Sequence, residues 1–171
     1  MKKKYALGFT LAELLAVVII VALLSALSLG AYRKSVEQSR FSEGLAAASA
    51  VVEAINRARF DDKIEGRTVS GRHSYATLDI SLPNPCGSTS NYCRATNHFE
   101  VKIELEGTNQ EVVRAYRNIS KDDYQYYIEI FPDYGSDRDK LSCVDNSSGG
   151  GAQAFCESMG YVHCNNKKCT K

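Results

Sequence analysis

The chain has 171 residues, of which 44% are apolar and 24% are charged. This composition fits one globular domain of roughly 130 residues that follows a hydrophobic N-terminal segment. The formal net charge is +1, and no basic block follows Lys2 to Lys4. The charge therefore does not predict a dedicated nucleic-acid site.

An apolar segment runs from Phe9 to Tyr32 and contains one charged side chain, Glu13. At about 1.5 Å per residue this segment would form a helix of roughly 36 Å, which is enough to cross a hydrocarbon core of about 30 Å. We therefore expect a single membrane-spanning helix. A carboxylate in such a helix costs on the order of 2 to 3 kcal/mol at mid-bilayer, so Glu13 is a candidate functional residue.

The basic residues Lys2 to Lys4 precede the apolar segment and favour a cytoplasmic N-terminus, although Arg33 and Lys34 at its other end dilute this bias. All six cysteines follow the segment, so the same orientation places them in an oxidising compartment, where disulfides are favoured. They are Cys86, Cys93, Cys143, Cys156, Cys164 and Cys169.

Two ordinary interpretations of the N-terminus are open. One is a cleaved secretory signal with Ala26 and Ser28 at the cleavage site, and the other is an uncleaved signal anchor. Either would leave a secreted or membrane-tethered binding domain, and neither explains Glu13.

A third interpretation comes from the residues "GFTLAELL", Gly8 to Leu15, which follow a short basic leader. This stretch resembles the class III signal of type IV pilins and of type II secretion pseudopilins. The resemblance implies that a prepilin peptidase removes residues 1–8 by cleavage between Gly8 and Phe9 and then methylates the new N-terminus of Phe9. It also implies that residues 9–32 span the membrane before assembly and form the filament core afterwards.

The resemblance suggests the hypothesis that Glu13 acts in filament assembly. Cleavage would give Phe9 a positively charged amine about one helical turn from the carboxylate. Glu13 would compensate that amine or the amine of a neighbouring subunit, and a subunit docked out of register would leave two buried charges unpaired. Many family members have a proline where this chain has Gly30, so we expect a weakened helix there rather than a fixed kink.

Residues 33–171 are predicted to form the globular head. Its first part, residues 33–60, continues the helix, and apolar side chains recur there at spacings of three and four. These side chains are Phe41, Leu45, Ala48, Val52 and Ile55. A single helix from Phe9 to Phe60 is therefore expected, with this stripe packed on a sheet, followed by a connecting loop over residues 61–98 that has a short helix or strand around Tyr75 to Ile80.

Residues 99–132 are predicted to form the sheet. "FEVKIELE", Phe99 to Glu106, alternates strictly between apolar and charged residues, and residues 111–118 and 124–132 are a second and a third strand. The expected fold class is α+β, with one long N-terminal helix on an antiparallel sheet of three or more strands. This matches the type IV pilin fold that the resemblance implies.

Residues 133–171 are predicted to form a cysteine-rich C-terminal region with a flexible loop tip at 146–151 and a short helix from Gln153 to Met159. Cys86 and Cys93 are close enough in sequence for a local disulfide. The four later cysteines allow three pairings, and the sequence does not choose between them. The resemblance implies a disulfide-bound C-terminal region, since pilins commonly close theirs with a cysteine pair.

Other chemistry is weakly indicated. A four-cysteine zinc site lacks a C-x-x-C spacing. The carboxylates of Asp133, Asp137 and Asp139 could approach calcium but are more typical of a solvated turn. The sequence has no nucleophile motif or phosphate loop, so we expect neither enzymatic activity nor a cofactor.

The sequence thus predicts a structural prepilin of a type IV pilus, with a type II secretion pseudopilin as the alternative. Its expected location is the inner membrane, single-pass with a cytoplasmic N-terminus, and then a periplasmic or extracellular filament. Expected partners are other copies of the chain, related pilins, the prepilin peptidase and an assembly platform. The sequence does not distinguish a major from a minor subunit, nor motility, adhesion, DNA uptake or secretion.

Overall fold

The computed structural model describes residues 9–67, 73–82, 92–107, 110–118, 124–132 and 141–171. The predictions for Gly8, for Cys86 and for the loop with Asp133, Asp137 and Asp139 lie outside the described residues. The chain divides into two compact units, Met1–Gln38 and Ser39–Lys171.

Helix α1 spans Leu11–Ile64 and confirms the single long N-terminal helix. It ends in a Schellman motif: Gly66 has φ +68°, the Arg67 N–H donates to the Asp62 carbonyl at 2.9 Å, and the Gly66 N–H donates to Lys63 at 3.4 Å. The helix ends one turn beyond the predicted Phe60, because the charged residues after Phe60 still have helical propensity until glycine allows the left-handed turn.

The second unit contains a seven-stranded antiparallel sheet of order β1-β2-β3-β4-β5-β7-β6. The strands are β1 Tyr92–Cys93, β2 Phe99–Glu106, β3 Gln110–Arg117, β4 Tyr126–Ile130, β5 Leu141–Asp145, β6 His163–Asn165 and β7 Lys168–Thr170. A short helix α2, Gln153–Ser158, lies between β5 and β6, and a 3-10 turn spans Tyr75–Thr77. The sheet that we expected to end near residue 132 therefore continues through the C-terminal region.

The part of α1 in the second unit packs on the inner face of this sheet. Its buried residues are Phe41, Gly44, Ala48, Val51, Ala54 and Ile55. The predicted stripe therefore packs on the sheet, and its members Leu45 and Val52 are half-buried against the core. At Gly44 an added Cβ would come within 2.6 Å of the Phe99 ring, so the missing side chain lets that ring approach the helix backbone.

An aromatic cluster closes the core beside α2. The Phe41 ring lies 5.7 Å from both Tyr126 and Tyr161, and Phe155 on α2 stacks on Tyr126 at 5.0 Å between ring centroids. Such pairs contribute about 0.5 to 1.5 kcal/mol each beyond burial. The C-terminal region therefore shares the core of the sheet.

Candidate functional site

The apolar half of α1 packs against no other described residue of its own unit. Every side chain from Phe9 to Ser35 is exposed, and Phe9 itself is 82% exposed. Of the described residues, only α1 is a helix long and apolar enough to span a membrane. An exposed apolar surface of this size is typical of a segment that is covered by lipid or by protein.

Thr10 and Glu13 form a reciprocal cap at the start of this helix. Glu13 Oε2 accepts from the Thr10 amide at 2.9 Å and from the Thr10 hydroxyl at 2.8 Å, while the Glu13 amide donates to Thr10 Oγ1 at 3.3 Å. This is a capping box, and its T-x-x-E signature was present in the sequence but was not used in the prediction. The carboxylate thus lies next to the amide that follows Phe9.

Other polar groups of the apolar half are satisfied by the helix itself. The Ser25 hydroxyl donates to the Val21 carbonyl at 2.7 Å, and the Ser28 hydroxyl donates to the Ser25 carbonyl at 3.2 Å. The helix also continues through Gly30 without a break. These local bonds leave the surface of the segment suited to an apolar environment, where unpaired polar groups are costly.

The structure pairs the four C-terminal cysteines as Cys143–Cys156 and Cys164–Cys169. The first bond joins β5 to α2, and the second closes the β6–β7 hairpin. The cysteines therefore form crosslinks rather than a zinc site. Cys93 is also disulfide-bonded, and its predicted partner Cys86 lies outside the described residues.

A buried ion cluster on the inner face was not predicted. Glu111 on β3 is fully buried and accepts from the Arg59 guanidinium and from the His73 backbone N–H. His73 Nδ1 lies 3.0 Å from both carboxylate oxygens, and its Nε2 lies 3.8 Å from Asp62. Burial alone would raise the pKa of Glu111, but the hydrogen bonds from His73 and Arg59 outweigh it and lower that pKa to about 2.

A sequence signal for this cluster existed. Glu111, Val113 and Ala115 alternate along one strand and so share its inner face, which places one carboxylate among apolar neighbours. A buried carboxylate needs paired donors, yet nothing local indicated that they would come from Arg59 and His73, which are distant in sequence.

A second ion network lies on the outer face of the sheet. Arg114 Nε donates to Glu129 at 2.7 Å and Nη1 donates to Glu104, while Lys168 also contacts the Glu129 carboxylate. Burial opposes ionisation of Glu129, but the hydrogen bonds from Lys168 and Arg114 lower its pKa. This network joins side chains of β2, β3, β4 and β7, so its charged groups crosslink neighbouring strands of the sheet.

The three histidines lie in three different surroundings. His73 binds Glu111, His98 Nδ1 lies 3.1 Å from Glu43, and His163 is exposed on β6. Within the described ranges, no three His, Cys, Asp or Glu side chains are grouped so that they could hold a metal ion. The features that remain as a candidate site are the exposed helix and its cap.

No family model, no curated protein and no solved structure matches the chain. The functional assignment therefore depends on the motif at residues 8–15 and on the geometry of α1.

Proposed function

We propose that this chain is the precursor of a filament subunit of the type IV pilin kind. Residues 1–8 are a leader that a prepilin peptidase removes between Gly8 and Phe9, and the peptidase then methylates Phe9. The apolar half of α1 spans the inner membrane first and packs against neighbouring subunits afterwards. The subunit has no catalytic role.

The observation that carries this proposal is the exposed apolar helix that begins at Leu11, within the "GFTLAELL" motif and two residues after Phe9. A cleaved secretory signal would discard this helix, although it is continuous with the helix that packs on the sheet. A membrane anchor alone would not need a carboxylate at its start. A filament core requires an apolar helix, a defined start and a charge that sets register, and this chain supplies all three.

The pseudopilin of a type II secretion system is the second candidate, because it shares the same motif and helix. The alternative from another class is a binding domain behind an ordinary signal. Analysis of the mature N-terminus separates these classes. We expect N-methylated Phe9 in membranes and in sheared surface filaments, whereas a mature start near Leu29 or an intact Met1 would refute a filament subunit.

Two substitutions of Glu13 separate its capping role from its charge. Glu13→Ala removes both the cap and the charge, while Glu13→Gln keeps an oxygen that can accept from Thr10 but cannot compensate the Phe9 amine. If the charge sets register, both variants are cleaved normally and both lose filament incorporation by about tenfold or more. Thr10→Val is the matched control that weakens the cap and keeps the carboxylate, and it should assemble.

The readout is the amount of subunit in sheared filaments relative to processed subunit in the membrane. Normal assembly of Glu13→Gln together with failure of Glu13→Ala would reduce the role of Glu13 to helix capping. Normal assembly of both variants would remove Glu13 from the assembly mechanism altogether.

A further inference from the structure

The four C-terminal cysteines lie on three neighbouring strands and one helix. Cys143 is on β5, Cys169 on β7 and Cys164 on β6, and Cys156 on α2 is bonded to Cys143. The sheet order places β7 between β5 and β6. Cys169 is therefore the middle cysteine of the three on the sheet.

The strand register makes Cys169 the direct neighbour of two cysteines. It lies opposite Cys143 across the β5–β7 pair and opposite Cys164 across the β6–β7 pair. Directly opposed residues of an antiparallel pair point to the same face with Cα atoms about 4.5 to 5.5 Å apart. A disulfide spans Cα separations of about 4.4 to 6.8 Å, so the register places Cys143 and Cys169 within the range of a disulfide.

Access to the two existing bonds is unequal. Cys143, Cys156 and Cys169 are fully buried, whereas Cys164 is partly exposed. Cys164 is therefore the one of these four cysteines that a small external dithiol can approach from solvent, while both cysteines of the Cys143–Cys156 bond are buried. In a folded head the buried bond would be protected unless another thiol inside the core attacked it.

We propose that Cys169 is a thiol–disulfide exchange site that connects the two C-terminal disulfides. An external dithiol attacks Cys164, leaves as its own cyclic disulfide, and yields the thiols of Cys164 and Cys169. The Cys169 thiolate then attacks the Cys143 sulfur, so the Cys143–Cys156 bond breaks as a Cys143–Cys169 bond forms. The proton lost by Cys169 ends on the Cys156 thiol, and this second step needs no further reductant.

The consequence is a redox-sensitive connection between α2 and the sheet. Reduction at the terminal hairpin releases α2 from β5, while β5 and β7 become covalently joined. The C-terminal region therefore responds to an external dithiol as one unit, through its least protected cysteine. This property does not depend on whether the chain forms a filament.

The first test is a time course of native reduction of the full-length protein in detergent. Dithiothreitol is added, samples are quenched in acid and alkylated, and the disulfide-linked peptides are identified by mass spectrometry. We expect a transient Cys143–Cys169 peptide in molecules that carry alkyl groups on Cys156 and Cys164. Loss of Cys143–Cys156 without any Cys143–Cys169 species would overturn the proposal.

Two single variants provide a matched pair, since each keeps Cys143–Cys156 and leaves one unpaired thiol. In Cys164→Ser the free thiol lies opposite Cys143, so the alkyl label should be shared between Cys169 and Cys156. In Cys169→Ser the thiol of Cys164 is one strand farther away, so the label should stay on Cys164. Reduction of Cys143–Cys156 should also be at least about tenfold slower in Cys169→Ser. Equal rates and no label on Cys156 would refute the exchange, and the wild-type time course decides the matter even if a variant folds poorly.

Discussion

The segment from Phe9 to Ser35 and the unit Ser39–Lys171 place their apolar side chains in opposite ways. In the first, every side chain is exposed and the polar groups of Thr10, Glu13, Ser25 and Ser28 bond locally. In the second, the apolar side chains form a buried core, and residues distant in sequence pair with one another. The difference indicates that the buried core belongs to the head, and that the apolar helix adds nothing to that core.

The sharpest test of this comparison is to remove residues 1–38. We expect residues 39–171, produced in an oxidising compartment, to be soluble and monomeric, whereas the full chain requires detergent. Because the core lies within this unit, its melting temperature should stay within about 5 °C of that of the head in the full chain. Calorimetry and sedimentation measure both quantities. An aggregated or non-cooperative fragment would show that the head depends on the removed helix.

The next largest effect is expected at Glu111. Its folded pKa of about 2, against an ordinary value of 4.5, contributes about 3 kcal/mol of stability. The pKa is depressed on folding, so this contribution is complete above pH 4.5 and is lost as the pH falls through 2. Glu111→Gln should therefore lower the free energy of unfolding of the head by about 3 kcal/mol at pH 7.

Urea titrations of wild type and Glu111→Gln between pH 2 and 7 check this prediction. The two free energies of unfolding should converge as the pH approaches 2. Asp79→Asn is a useful control, since it removes an exposed carboxylate of the same unit. A gap between wild type and Glu111→Gln that is independent of pH would mean that the carboxylate charge is not what stabilises the cluster.

A smaller effect compares the two glycines of α1. Gly44→Ala places a Cβ against the Phe99 ring, so we expect overpacking to destabilise the head by about 1 to 3 kcal/mol despite the better helix propensity of alanine. At Gly30 a Cβ meets nothing within 4 Å, and Gly30→Ala should strengthen the helix by up to about 1 kcal/mol. Thermal unfolding and helix content distinguish the two. A neutral Gly44→Ala would contradict the close contact between α1 and the sheet.

The smallest effect is expected at the Arg57–Asp79 ion pair. Its guanidinium and carboxylate form two-pronged bonds at 2.9 Å, but the side chains are 51% and 65% exposed. Exposed ion pairs contribute little to stability and are screened by salt. Asp79→Asn should lower the urea midpoint of the head only slightly, and 1 M salt should remove the difference. A larger loss of stability would mean that the Arg57–Asp79 ion pair, in addition to the buried core, is needed to hold the segment around Asp79 in place.

The sequence predicted those elements whose signal is local. The apolar run beginning at Phe9 indicated α1, and the alternation of Phe99 to Glu106 indicated β2. Strand β5 was missed because Ser142, Cys143 and Val144 are all buried, so alternation is absent. The β6–β7 hairpin was missed because its turn places Asn166 and Lys167 at positive φ without a glycine.

By itself the sequence determined the apolar helix, its T-x-x-E cap and the three central strands, because each depends on neighbours within a few residues. The tertiary structure decided which cysteines pair, which face of α1 is buried around Gly44, and which donors reach Glu111. Each of these depends on residues that are distant along the chain and meet only when the sheet closes on the helix. Local sequence patterns do not predict such long-range contacts, because the contacts depend on strand order and register, which are properties of the whole fold.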